Sequence, residues 1–167
     1  MNKCLIVISF FITSIFCQKI DVDDYKNLNF RFIGPDGNRA IAVSGVSSNH
    51  DIYYVGAASG GLFRTKNRGI SWEPIFDDQD VSSISALAVS QNNPNTIWAG
   101  TGETFVIRPA HAIGDGIYKS TDGGDTWKNM GLEKTARIAK IVVHPKNDDI
   151  VYVAALGHTF GPQKERG

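Results

Sequence analysis

An all-β fold built from repeated four-stranded units is predicted by three features: a turn motif that occurs twice, a strand–turn–strand pattern that occurs three times, and a composition suited to tight turns. The segment Thr65-Lys-Asn-Arg-Gly-Ile-Ser-Trp72 returns about 55 residues later as Ser120-Thr-Asp-Gly-Gly-Asp-Thr-Trp127. The two copies agree in kind at Ser/Thr, Asn/Asp, Gly, Ser/Thr and Trp. Each follows an aromatic-basic couplet, Phe63-Arg64 or Tyr118-Lys119. Hydrophobic residues make up 42% and charged residues 20%, with 17 glycines. That balance suits a folded, turn-rich β chain and argues against disorder.

The elements follow in order. Arg39-Ala-Ile-Ala-Val43, a turn at Ser47-Ser-Asn-His50 and Ile52-Tyr-Tyr-Val-Gly56 open the first unit. A short loop, Ala57-Ala-Ser-Gly-Gly61, leads to a third strand ending at Leu62-Phe63-Arg64. In the turn motif, Asn67 or Asp122 is placed to accept backbone N–H bonds, and Gly69 or Gly124 to supply positive φ. Thr65, Ser120, Ser71 and Thr126 add hydroxyls, and Trp72 or Trp127 begins the return strand as an apolar wedge between sheets. The second unit repeats this with Ser83–Ser90, the turn Asn92-Asn-Pro-Asn95 and Thr96–Gly100; the third with Arg137–His144, Pro145-Lys-Asn-Asp148 and Ile150–Ala154. The small and β-branched content of these runs fits strands packed on both faces.

Four short antiparallel strands per unit of roughly 40–55 residues is the signature of a β-propeller blade. The expected architecture is an incomplete propeller over residues 39–167: blade 1 about 39–76, blade 2 about 83–131 and half of blade 3 about 137–167, preceded by a lead-in at 18–38. Propellers close with about four to eight blades. The remaining blades are therefore expected in a longer chain, continuing past Gly167.

Residues 1–17 read as a signal peptide: Lys3, an apolar run from Leu5 to Phe16, then Cys17 before a switch to polar sequence at Gln18. A lipoprotein anchor at Cys17 is the alternative. Export to a periplasm, cell surface or medium is the expected outcome, with no membrane span after cleavage. Cys4 and Cys17 are the two cysteines, so the mature part is expected to hold no disulfide and no thiolate metal site. With 17 basic and 17 acidic residues there is no electrostatic case for nucleic acid. The run Asp77-Asp78-Gln79-Asp80 lacks calcium-loop spacing, and the histidines show no zinc spacing; neither a metal nor a cofactor is expected.

The turn motif resembles the Asp-box, or bacterial neuraminidase repeat, of sialidases, xyloglucan-degrading enzymes and the sortilin ectodomain. Ser120–Trp127 fits its consensus; Thr65–Trp72 carries Asn67 in place of Asp. Phe30-Arg-Phe-Ile-Gly-Pro35, Tyr53–Gly61, Pro74–Gln79, Gly114–Gly124 and Val151–Gly157 are similar to the opening of secreted sortilin-like or glycosyl-hydrolase-like repeat proteins. The resemblance implies that each box closes the hairpin between third and fourth strands, and that ligands bind on the opposite face.

Blade geometry puts on that opposite face the loops between second and third strands. The second unit's loop, Thr101–Gly116, holds Glu103, Arg108, His111 and Asp115; the third unit's holds His158. Arg39 and Arg137 occupy the same repeat position before the innermost strand, with Ser83 between them. Two guanidinium groups there suit a carboxylate or other anion; the alternative partners are Asp77, Asp78, Asp80 or Glu133. These residues are the candidate ligand-binding set, for a glycan, peptide or protein. No residue matches a catalytic motif in full. The expected function is a binding module. The alternative is a sialidase-like or xyloglucanase-like glycoside hydrolase, with Glu103 and Asp115 as the carboxylate pair to test.

Overall fold

The computed structural model describes residues 22–26, 34–35, 39–105, 112–162 and 164–167. The expected signal peptide, Arg108 and His111 lie outside them. The chain divides into two units, 1–32 and 33–167. The first shows a 3-10 turn at Val22–Tyr25, followed by a Lys26–Asp23 ion pair of 2.9 Å.

The second unit is all-β. Strands β1 (Ala40–Val46), β2 (Asn49–Ala57), β3 (Leu62–Thr65) and β4 (Glu73–Pro74) form one antiparallel sheet in chain order. A second sheet repeats the order with β5 (Ile84–Val89), β6 (Ile97–Thr101), β7 (Ile117–Ser120) and β8 (Lys128–Asn129). A hairpin of β9 (Ile138–His144) and β10 (Asn147–Ala155) follows. Strand β5 packs between β1 and β9, so the first strand of each unit faces its counterparts.

The core lies between the blades, because each sheet is apolar on both faces. One layer joins Tyr54 and Leu62 of the first sheet, and Phe76 just beyond its last strand, to Ile84, Ile97 and Tyr118 of the second. Another joins Ala86, Trp98 and Ile117 to Ile138 and Ile141 of the hairpin. Strict alternation would put Ile84 and Ala86 on one face. A register shift between them turns Ile84 toward the first layer and Ala86 toward the second.

The two Asp-boxes form the same turn from different side chains. In the second, Asp122 accepts from Ser120 Oγ at 2.7 Å, Thr126 N at 2.9 Å and Thr126 Oγ1 at 2.6 Å. In the first, Asn67 accepts from Thr65 Oγ1 and Ser71 N, both at 2.9 Å, and its amide donates to Ser71 Oγ at 2.8 Å. Gly69 and Gly124 have φ of 83° and 98°, positions a Cβ would strain. Trp127 wedges against the preceding blade, its ring 5.2 Å from Phe76 and its Nε1 donating to Ile75 O at 2.7 Å. Trp72 lines a groove of the first blade with Val43, Tyr53 and Val55.

Candidate functional site

One hydrogen bond recurs in every blade and fixes the rim opposite the Asp-boxes. The amide of the residue after the second strand donates to the carbonyl of the residue before the first. The bonds are Ala58 N to Arg39 O at 2.9 Å, Gly102 N to Ser83 O at 3.0 Å and Leu156 N to Arg137 O at 2.9 Å. Arg39, Ser83 and Arg137 thus share a backbone position, each beside the mouth of its own blade's long or short loop.

Their surroundings differ. Arg39 Nη2 donates to Glu103 Oε1 in an ion pair between blades. Glu103, 4% exposed, is held there by its own backbone as well, its amide donating to Ala112 O at 2.8 Å. Ser83 is fully buried and its Oγ has no partner among the described residues. Arg137 is 7% exposed, and its Nε donates to Gly157 O at 2.9 Å.

Asp115 is tied into the fold. It accepts from Tyr118 Oη at 2.6 Å, while its amide donates to Thr101 Oγ1 at 2.9 Å, which pins the end of the long loop to strand β6. Burial, reinforced by the Asp115 carboxylate, pushes the Tyr118 hydroxyl up to about 12, so it remains a donor. Glu103 and Asp115 are therefore both committed to internal bonds.

Arg137 and His158 are brought together. With Ala112, Ile113, Ala136, Thr159 and Phe160 they line a cavity of about 230 Å³ between blade 2's loop and blade 3. Ile113 and Phe160 are 64% and 81% exposed beside it. Neither is among the residues the sequence singles out, although for Phe160 a signal exists: Gly102-Glu-Thr-Phe105 recurs as Gly157-His-Thr-Phe160 at the same loop entrance.

A second missed cluster lies on the Asp-box face. Arg64, 7% exposed, donates through Nε to Glu73 at 2.6 Å and through Nη1 to Gly123 O at 2.7 Å, with Asp125 at 2.8 Å. Tyr54 Oη donates to the same carbonyl at 3.1 Å. Lys119, its counterpart, reaches Asp149 of the next blade at 3.3 Å and covers the Trp98 ring. The basic residue of each couplet thus ties one blade to the next, which its spacing alone does not reveal.

Comparison with solved structures identifies the arrangement. An ancestral GH74 enzyme superposes with a TM-score of 0.55 at 22% identity, over 74% of this chain and 17% of that one. The fold matches part of a GH74 β-propeller. The GH74 enzyme of Niastella koreensis gives a TM-score of 0.53 at 22% identity, over 67% of this chain and 16% of that one. In sequence, a xyloglucanase from Paenibacillus sp is 28% identical over 121 residues, 65% of this chain and 12% of that protein. The chain thus spans about an eighth of the length of the curated relative it matches. No protein-family model matches. The similarity to GH74 xyloglucanases is distant, and it carries the propeller blade as its shared unit.

Proposed function

We propose that this chain contributes blades to a polysaccharide-active β-propeller of the glycoside-hydrolase kind, and that its loop rim binds the glycan. The observation that carries this reading is the 28% identity over 121 residues to a xyloglucanase. The rim supports it: an open cavity flanked by Phe160 and Ile113 gives apolar surface for sugar-ring C–H faces, and His158 and Thr159 give polar edges. The described blades serve binding rather than bond cleavage. A hydrolase needs two carboxylates facing the scissile bond across a gap of about 5–10 Å. Glu103 is closed off by Arg39, and Asp115 is held by Tyr118.

The test is electrophoresis of the purified protein through gels containing xyloglucan, with reducing-sugar release measured in parallel. Retardation that weakens in Phe160→Ala, with sugar release unaffected by Asp115→Asn, is expected. Retardation without release favours the non-catalytic binding module. Free migration through xyloglucan and other β-glucans, with no release, overturns the reading.

A further inference from the structure

The link from blade 2 to blade 3 carries backbone strain where the preceding link carries none. Among the described residues other than glycine, only Arg68, Leu132 and Ala136 have positive φ. Ala136 has φ 61° and ψ −35°, is 2% exposed, and sits in a turn closed by Arg137 N donating to Thr135 O at 2.6 Å. This is close to the rare hand of the three-residue γ-turn, at about φ +75° and ψ −65°, which strains a residue with a Cβ. The turn aims the Ala136 carbonyl at blade 2's long loop. Gly114 N donates to it at 2.7 Å, and a Cβ on Gly102 would collide with it, so it touches both ends of that loop. The two ends also touch each other, since a Cβ on Gly114 would lie 2.5 Å from Gly102 N. In the link between blades 1 and 2, Ser82 O accepts from Gly60 N at 3.0 Å and Gly61 N at 2.7 Å, and Ser82 has no positive φ. Joining two blades therefore does not require the strain. It occurs where the link borders the cavity of about 230 Å³ that Ala136 lines with Ala112 and Ile113.

We propose that Ala136 is a positioning residue: its strained turn is a clasp that holds the end of blade 2's loop, and with it the Ala112–Ile113 wall of the cavity, in the place where the rim receives a glycan. The part the clasp plays in binding rests on the glycan reading above, whereas the clasp itself stands apart from it. Ala112 and Ile113 directly precede Gly114, so the bond to Ala136 O fixes the wall beside it. A return of Ala136 to negative φ reverses the turn, parts Arg137 N from Thr135 O and carries the carbonyl off Gly114. Leu156 N holds Arg137 O at 2.9 Å on the far side, which confines the change to the turn and the loop end. Strain opposes the clasped arrangement and the Gly114 bond favours it. The segment thus has two arrangements whose balance a small change of side chain shifts. Glycine at 136 removes the strain and favours the clasp. Valine, branched at Cβ and poorly tolerant of positive φ, favours release.

The experiment follows the Gly114 amide by hydrogen exchange in the purified wild-type protein, Ala136→Gly and Ala136→Val, with the urea midpoint and the retardation in xyloglucan gels measured on each. Ala136→Gly is expected to slow Gly114 exchange by at least about threefold without lowering the urea midpoint, although glycine ordinarily loosens a fold. Ala136→Val is expected to speed that exchange by about tenfold and to raise the xyloglucan concentration for half-retardation by a similar factor. Ser82→Gly, at the unstrained counterpart, is expected to leave Gly61 exchange unchanged or faster; slower exchange there shows that strain is not the cause and overturns the proposal. Unchanged or faster Gly114 exchange in Ala136→Gly overturns the clasp. So does a wild-type Gly114 amide that exchanges no faster than the core amides of strand β6, which open only with the whole fold. Altered exchange with equal retardation of all three proteins overturns the positioning role. Altered exchange with retardation of none leaves the clasp standing and overturns the glycan reading alone. Ala136→Gly decides the matter even where Ala136→Val does not fold.

Discussion

Adding one methyl group at Gly100 should loosen the contact between blades 2 and 3. Gly100 pairs with Ala86 in the middle of the second sheet, and its backbone is outside the positive-φ glycines. Alanine is therefore allowed locally and would even favour the strand by about 0.5–1 kcal/mol. The obstacle is the neighbouring blade. A Cβ at Gly100 would lie 2.5 Å from Ile138 Cγ2, 2.7 Å from Ile138 Cβ and 3.2 Å from Ala86 Cβ. Carbon atoms prefer about 3.5–4.0 Å, so strand β9 must retreat by about 1 Å. Overpacking of this kind costs about 1–3 kcal/mol. With the middle of the local gain subtracted from the middle of that cost, Gly100→Ala should destabilise by about 1 kcal/mol, lowering Tm by about 2–4 °C for a domain of this size. The same logic holds at Gly56, where a Cβ would meet Ile84 O at 2.6 Å. In blade 3 the equivalent residue is Ala154, paired with Lys140 and exposed, and there the methyl is already present. The assay is urea unfolding of Gly100→Ala, Ile138→Ala and the double variant. Ile138→Ala alone should cost about 2–5 kcal/mol by leaving a cavity. The added methyl partly fills that cavity, so the double variant should be more stable than the two losses summed, by about 0.5–2 kcal/mol. Strict additivity, or a Gly100→Ala loss within about 0.5 kcal/mol of zero, would refute the close-approach argument.

Two further outcomes test the Asp-box face. Hydrogen bonds from Thr126, side chain first and then backbone, with Ser120 adding to them, lower Asp122 from 3.8 to about 2. A depressed carboxylate stabilises the fold above its unfolded pKa, and that contribution fades as pH falls from about 4 toward 2. Asp122→Asn copies the first box, where Asn67 makes the equivalent bonds without titrating. The stability gap between wild type and Asp122→Asn, measured by thermal unfolding, should thus narrow over that interval; a gap that is constant with pH contradicts the assignment. Replacing Arg64 by Met removes a buried guanidinium bonded to Glu73, Asp125 and Gly123 O, while Tyr54 still satisfies that carbonyl and the two half-exposed or exposed carboxylates return to water. A loss of about 2–3 kcal/mol in urea unfolding is expected, and one under about 1 kcal/mol would show that the cluster does not tie the blades together.

The sequence by itself determined the strands, their antiparallel order and the two Asp-box turns. These rest on interactions between residues a few positions apart, such as Ser120 with Asp122 and Asp122 with Thr126, so a local pattern of hydroxyl, carboxamide or carboxylate, and glycine is enough to specify them. It also placed Arg39 and Arg137 in one repeat position and put Glu103 and His158 in rim loops. Only the tertiary structure decided what those residues do. Glu103 meets Arg39 across 64 residues of chain, Asp115 is drawn back to Tyr118, and Arg137 is left against a cavity with His158 and Phe160. The reason is geometric: which side chain of one blade faces which of the next depends on the rotation between sheets, the bulge between Ile84 and Ala86 and the bare backbone at Gly56 and Gly100 that lets the next blade's isoleucine approach. A repeat encodes the blade, whereas the contacts that make a site lie between blades, where the copies have diverged.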